Sequence, residues 1–78
     1  KPNCDLQVYP NPVSSDKITI SFCYKMKSVE TVDMKGSTLI FKQAESENYV
    51  LTHQLSSGMY FLKMVYNNGM IFKKIVVE

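Results

Sequence analysis

The side chains with the greatest capacity for chemistry in this sequence are one histidine, two cysteines and a pair of glutamates. A nucleophilic triad would need His53 beside a nucleophile and an orienting acid, and no nucleophile motif surrounds it. We interpret His53 as an ordinary half-exposed strand residue. Glu45 and Glu47 could act as paired carboxylates, although a solvated loop is the simpler interpretation. The sequence therefore predicts that the chain is not an enzyme.

Cys4 and Cys23 raise two further questions, a metal site and a disulfide. Together with His53 they lack the close ligand pairs of structural zinc sites. If the first two strands pair antiparallel with Val8 facing Thr19, the same register puts Cys4 opposite Cys23, where a cross-strand disulfide could close. The alternative is two free cysteines, one near the N-terminus and one at a strand end. The sequence leaves both alternatives open.

Composition narrows the class of protein. The 78 residues suffice for one domain with one core, and 45% hydrophobic and 21% charged residues are typical of globular chains. The net charge is +2, and the sequence contains no arginine. Because arginine is the side chain that most often hydrogen-bonds guanine edges and phosphates, nucleic-acid binding is not predicted. No apolar run is long enough for a membrane-spanning segment, and three scattered glycines form no phosphate-binding loop, so no cofactor is predicted.

Alternating polar and apolar residues predict the first two β-strands. Residues 17–22 alternate without a break and place Ile18, Ile20 and Phe22 on one buried face. Residues 6–9 alternate likewise. The two prolines of the following Pro-Asn-Pro sequence fix φ and remove two amide donors, so the first strand must end there.

The middle of the chain predicts three short strands, at residues 29–34, 38–41 and 49–53. A polar segment, residues 42–48, is expected to be a loop. Broken alternation near residues 29–32 indicates a bulge or an edge position. A tight turn is predicted at residues 33–36, where Gly36 is free to take positive φ. Which face of the last of these strands is buried stays open between two pairs, Tyr49 with Leu51 and Val50 with Thr52.

The last third carries the strongest strand signal, with residues 58–66 and 70–77 flanking an Asn-Asn-Gly sequence. That trio is typical of a type I′ turn or a three-residue bulged loop, so a terminal hairpin is predicted. Tyr60, Leu62 and Met64 should face the core. About seven short strands with turn signals every eight to twelve residues indicate an all-β antiparallel sandwich of Greek-key type.

Four motifs follow one another in a specific order: residues 8–13 (VYPNPV), Val32-Asp33 with Gly36, residues 55–63 (LSSGMYFLK) and residues 73–77 (KKIVV). In this order and spacing, from about Leu6 to Glu78, the chain resembles the type A C-terminal sorting domain of cargo proteins of the bacterial type IX secretion system, also called the Por secretion system. The cysteines lie outside the shared pattern. Many family members end on a basic residue, whereas this chain ends on Glu78.

The resemblance implies a folded export signal of immunoglobulin-like β-sandwich type that performs no chemistry itself. Cargo would pass through the periplasm, be recognised by the outer-membrane translocon and reach the outer-membrane surface or the extracellular space, where a sortase commonly removes the domain. Because the chain begins at Lys1, we expect residues 1–78 to be one domain excised from a longer cargo protein. The residues that the resemblance implies for translocon recognition are Tyr9, Pro10, Asn11, Pro12, Gly58, Tyr60, Lys73, Lys74, Ile75, Val76 and Val77.

Two other expectations stand beside this one. The alternative function is a permanent immunoglobulin-like accessory module that stabilises a neighbouring domain or binds a glycan. Exposed aromatics in a row would then be expected, and the candidates are Tyr9, Tyr24, Tyr49 and Tyr66. The proline-stiffened connector after the first strand could also favour a domain-swapped dimer.

Overall fold

The computed structural model describes residues 4–78 as one curled antiparallel sheet. Its strands are β1 (Gln7–Tyr9), β2 (Lys17–Val32), β3 (Thr38–Thr52), β4 (Gly58–Tyr66) and β5 (Gly69–Val77). The strand order is β1-β2-β4-β5, and β3 pairs with the other edge of β2. Within residues 4–78 there is no helix able to cross a membrane. The chain is therefore all-β, as predicted.

The prediction of seven strands is wrong, because two long strands each replace shorter ones. β2 joins the two segments that were expected to be separate, although its pairing with β3 shifts register between Ser21 and Met26 and again between Met26 and Ser28. β3 likewise includes the expected loop at residues 42–48, and Glu45 takes φ 52° within it. Bulges of this kind bend a strand without ending it. The observed strand order does not confirm the Greek-key connection.

The core lies inside the curl of the sheet. The first part of β2 pairs with β1 and with the end of β3, whereas its second part pairs with the start of β3 and with β4. Both parts contribute to one core, although the strands form a single sheet rather than the two sheets of the predicted sandwich. The buried hydrophobic residues are Leu6, Val13, Ile18, Ile20, Phe22, Met26, Val29, Leu51, Leu62, Met64, Ile75 and Val77. The predicted inward faces of residues 17–22 and 58–66 are confirmed. On β3, Leu51 is buried and Val50 is exposed, which settles the open choice for that strand.

The first predicted turn and the terminal hairpin are both present, but one alternative for the turn of the hairpin is excluded. Gly36 takes φ 94° and its amide donates to the Asp33 carbonyl at 3.0 Å, which confirms the first turn. In the terminal hairpin Tyr66 pairs with Gly69, and Gly69 alone carries positive φ there, at 146°. A type I′ turn needs positive φ at both central residues, so that alternative is wrong.

The assumed pairing of β1 with β2 is one residue out of register. Val8 lies opposite Ile20 rather than Thr19. Cys4 and Cys23 nevertheless form a disulfide, with their Cα atoms 5.7 Å apart. Because β1 begins only at Gln7, the position of Cys4 does not follow the β1 register. The disulfide therefore joins the two cysteines outside the paired residues of β1 and β2.

Candidate functional site

The segment after β1 lies along the outer edge of β5, and Asn11 makes the first contact. Its Nδ2 donates to the Lys74 carbonyl at 3.1 Å, and the Val76 amide donates to its Oδ1 at 3.1 Å. A primary amide offers one donor and one acceptor direction, as a peptide group does. The Asn11 side chain therefore takes the place of a neighbouring strand.

Val13 continues the same contact with its backbone. Its amide donates to the Val76 carbonyl at 2.7 Å, and its carbonyl accepts from the Glu78 amide at 2.9 Å, forming a parallel bridge with Val77. The Val13 side chain is fully buried. Because Pro10 and Pro12 have no N–H to donate, backbone bonds alone could not continue this pairing along the segment.

Residues 9–13 and 73–77 thus form one continuous area, called here the candidate surface. Tyr9 is 50% exposed, and Asn11 and both prolines are exposed as well. Lys73 and Lys74 are exposed, and neither is among the ion pairs formed within residues 4–78. The area combines a tyrosine ring, rigid prolines and two lysine charges, and exposed aromatic rings are frequent in protein interfaces.

The structure separates the residues implied for recognition into outward and inward groups. Ile75 and Val77 are buried in the core and cannot be touched from outside. Gly58 pairs with Val77 at φ 154°, and the ring of Tyr60 lies 3.8 Å from where a Cβ on that glycine would be. The Tyr60 hydroxyl donates to the Ser56 carbonyl at 2.7 Å. Ile75 and Val77 are therefore the buried part of residues 73–77, whereas Gly58 is exposed and Tyr60 half-buried on the neighbouring strand β4.

His53 is buried, so its interpretation as a half-exposed residue is wrong. It follows Leu51 on the inward face of the chain, and its ring is held on both sides. The Leu55 amide donates to Nδ1 at 3.1 Å, which leaves Nε2–H to donate to the Ser15 carbonyl at 2.8 Å. His53 therefore anchors the loop before β2. Residues 4–78 contain no group of three or more side chains that could hold a metal ion.

Sequence reasoning missed Val13 and the role of the Asn11 side chain. Both segments were identified, yet their contact joins residues 63 and 65 positions apart. The one available signal was the Val after the second proline, an apolar residue in an otherwise polar loop.

Replacing Asn11 with alanine tests this contact directly. The change removes two hydrogen bonds, so we expect the free energy of unfolding to fall by about 1–2 kcal/mol. The Val76 amide should exchange its hydrogen about tenfold faster with solvent, as read by NMR. Asn48→Ala is the matched control, because the Asn48 side chain is exposed and forms no hydrogen bond within the described part of the chain. Equal exchange at Val76 in the parent and in Asn11→Ala would contradict the contact.

Comparison with known proteins agrees with this architecture. Comparison with curated proteins gives no match. Among solved structures the chain is similar to PorZ, an essential bacterial surface component of the type-IX secretion system of Porphyromonas gingivalis, at 20% identity and a TM-score of 0.77. The similarity covers 94% of this chain and 11% of that one. The family model for the secretion system C-terminal sorting domain matches residues 7–78. With nearly its whole length matched, the chain belongs to the family of secretion system C-terminal sorting domains.

Proposed function

We propose that this domain is the export signal of a larger cargo protein, and that the type IX outer-membrane translocon recognises it through the candidate surface. Membership of the sorting-domain family supports the export role. The observation that carries the choice of surface is the hydrogen bonding of Asn11 to Lys74 and Val76. It joins the two segments implied for recognition into a single area that one receptor could contact.

The physical properties of the candidate surface support binding. Prolines reduce the conformational freedom of the segment before binding, so less entropy is lost on docking. Tyr9 offers an exposed aromatic ring, a frequent anchor of protein interfaces. Lys73 and Lys74 would be attracted by an acidic receptor and would exclude a basic one.

The proposal includes a route for the cargo. The domain folds in the periplasm, where the Cys4–Cys23 disulfide can form and persist. The translocon then moves the cargo to the cell surface, and a sortase removes the domain there. A domain-swapped dimer would require β1 to leave β2, whereas the disulfide holds the start of the chain against its own β2. We therefore propose the single chain as the recognised form.

Surface variants of a reporter fusion test the proposal. Residues 1–78 are fused to a neutral periplasmic protein in a host with the type IX machinery, and reporter exposed on the cell surface is measured. The double variant Tyr9→Ala with Lys74→Glu should lower surface export about tenfold, because an aromatic anchor and a complementary charge are lost together. Both side chains are exposed, so the thermal midpoint of unfolding should change little.

Tyr24→Ala with Lys35→Glu is the matched control, because Tyr24 is 49% exposed and Lys35 also points to solvent. It makes the same chemical changes away from the candidate surface and should export like the parent. Equal export of both double variants would contradict recognition through Tyr9 and Lys74.

The accessory-module alternative has one supporting observation. The Tyr24 and Tyr66 rings lie parallel, with centroids 6.3 Å apart, and together offer a small aromatic platform. Tyr49 is only half-exposed, and Tyr9 belongs to the segment along β5, so the four tyrosines do not form the expected row. A mature extracellular cargo that still carries residues 1–78 would favour this alternative.

A further inference from the structure

The outer edge of β5 is divided into a covered part and an uncovered part. In an antiparallel strand, alternate residues direct both backbone groups to the same edge. The Val76 amide and the Lys74 carbonyl face away from β4 towards Asn11, so the backbone groups of Phe72 and Met70 face the same way. Within residues 4–78 no strand pairs with them. The outward backbone of residues 70–73 is called here the free edge.

The free edge lacks two of the features that usually protect an edge strand, a bulge and a proline, and Lys73 is its one charged residue. β4 and β5 pair from Gly58↔Val77 to Tyr66↔Gly69 without a register shift, and the uncovered residues include no proline. β3 also has an open edge, but Glu45 bends it, and charged Lys42 and Glu47 flank that bend. Bulges and charges are the common means of preventing strand addition. Of these two edges, the free edge is the better template for an incoming strand.

Side chains beside the free edge define what such a strand must offer. Met70 and Phe72 lie on the outer face of the sheet, and each is 54% exposed. Lys73 points to the opposite face, where it is exposed and has no ion-pair partner within the described residues. An added strand would place its alternate side chains against these two faces.

We propose that residues 70–73 accept an extended strand of the export machinery by edge-to-edge pairing. This inference rests on the proposed function and specifies how the partner binds. Apolar side chains of the added strand pack against Met70 and Phe72, and acidic ones pair with Lys73. A strand without an acidic side chain would leave the Lys73 charge partly desolvated and unpaired, which disfavours it. Main-chain hydrogen bonds supply the affinity, and these alternate positions supply the selectivity.

Phe72→Pro tests the backbone pairing in the same reporter fusion. The Phe72 N–H faces away from β4, so proline leaves the β4–β5 ladder intact while it removes the outward donor and obstructs the incoming strand. Phe72→Ala is the matched control, because it shortens the same side chain and keeps the N–H. We expect Phe72→Pro to lower surface export at least about tenfold below Phe72→Ala. Thermal unfolding of each isolated variant shows whether it folds.

Lys73→Glu is a second variant, and it leaves the backbone unchanged. It tests the strand addition even if Phe72→Pro does not fold. It should lower surface export about tenfold, because the acidic side chain of the partner is then repelled. Lys35→Glu should not lower it. Two results would overturn the strand addition alone, provided that the parent fusion is exported. The first is equal surface export of Phe72→Ala and a folded Phe72→Pro. The second is equal surface export of Lys73→Glu and the parent. A parent fusion retained in the periplasm would overturn the proposed function and this inference with it.

Discussion

Deleting residues 74–78 is expected to unfold the domain. The deletion removes Ile75, which is 0% exposed, and Val77, which is 5% exposed. Truncating one buried aliphatic side chain to alanine typically costs about 2–5 kcal/mol, and the total stability of a small domain is about 5–15 kcal/mol. The deletion also removes every backbone partner of Asn11 and Val13 on β5. Circular dichroism should show no cooperative thermal transition.

Lys74→Ala combined with Glu78→Ala is the control, because both side chains are exposed and the backbone bonds remain. This variant should unfold within a few degrees of the parent. A truncated chain that melts cooperatively near the parent temperature would contradict the expectation. If the truncated chain does unfold, its failure to be exported would report lost folding, so recognition must be tested with point variants on the surface.

Removing the disulfide is the second change with a large expected effect. Replacing Cys4 and Cys23 with serine should lower the free energy of unfolding by ~3 kcal/mol, since the bridge closes a loop with a sequence separation of 19. β1 contributes only three residues to the sheet, so its pairing with β2 depends more on the disulfide than the pairing of a longer strand would. Urea denaturation under oxidising conditions measures the difference.

The parent chain in the presence of a thiol reductant is the control for the serine variant. Both should unfold at the same, lower urea concentration. The slope of the unfolding free energy against urea should change little if the native surface is the same. Identical midpoints for the oxidised parent and the double serine variant would contradict a stabilising bridge.

Local alternation was enough to predict the inward faces of the sheet. Ile18, Ile20 and Phe22 are buried as expected, and so are Leu62 and Met64. The first three alternate with polar residues along the pleat, whereas Leu62 and Met64 were assigned inward because Lys63 interrupts the other face of that strand. Where the repeat was unbroken, burial could be deduced without knowing any partner strand.

The strand boundaries could not be predicted, because they depend on distant partners. Alternation fails near residues 29–32 since Thr31 points inward and is fully buried, although it is polar. Glu30 points outward and lies 3.6 Å from Lys63 on β4. A register shift follows between Thr31 and Val32. The residue left unpaired at this shift is Leu39 of β3, and residues 29–32 pair with both β3 and β4, so the predicted bulge or edge position within residues 29–32 is wrong.

The candidate surface was predictable as two segments and not as one. Nothing local to Asn11 indicates that its amide bonds to Lys74 and Val76, because the curl of the whole sheet brings them together. Glu78 stands where many family members have a basic residue, and the structure shows which of its atoms bonds to Val13. Glu78 contributes its backbone N–H to Val13, and any residue with a free amide could make that bond.

The contact of residues 11–13 with residues 74–78 has a consequence for biosynthesis. During translation, the early segment leaves the ribosome long before its partner has been made, and it can complete its hydrogen bonds only after residue 78 has been released. A polypeptide cut short by premature termination or by a protease would lack that partner. Molecules that end before residue 74 could not form the candidate surface, and under the proposed recognition they would not be exported.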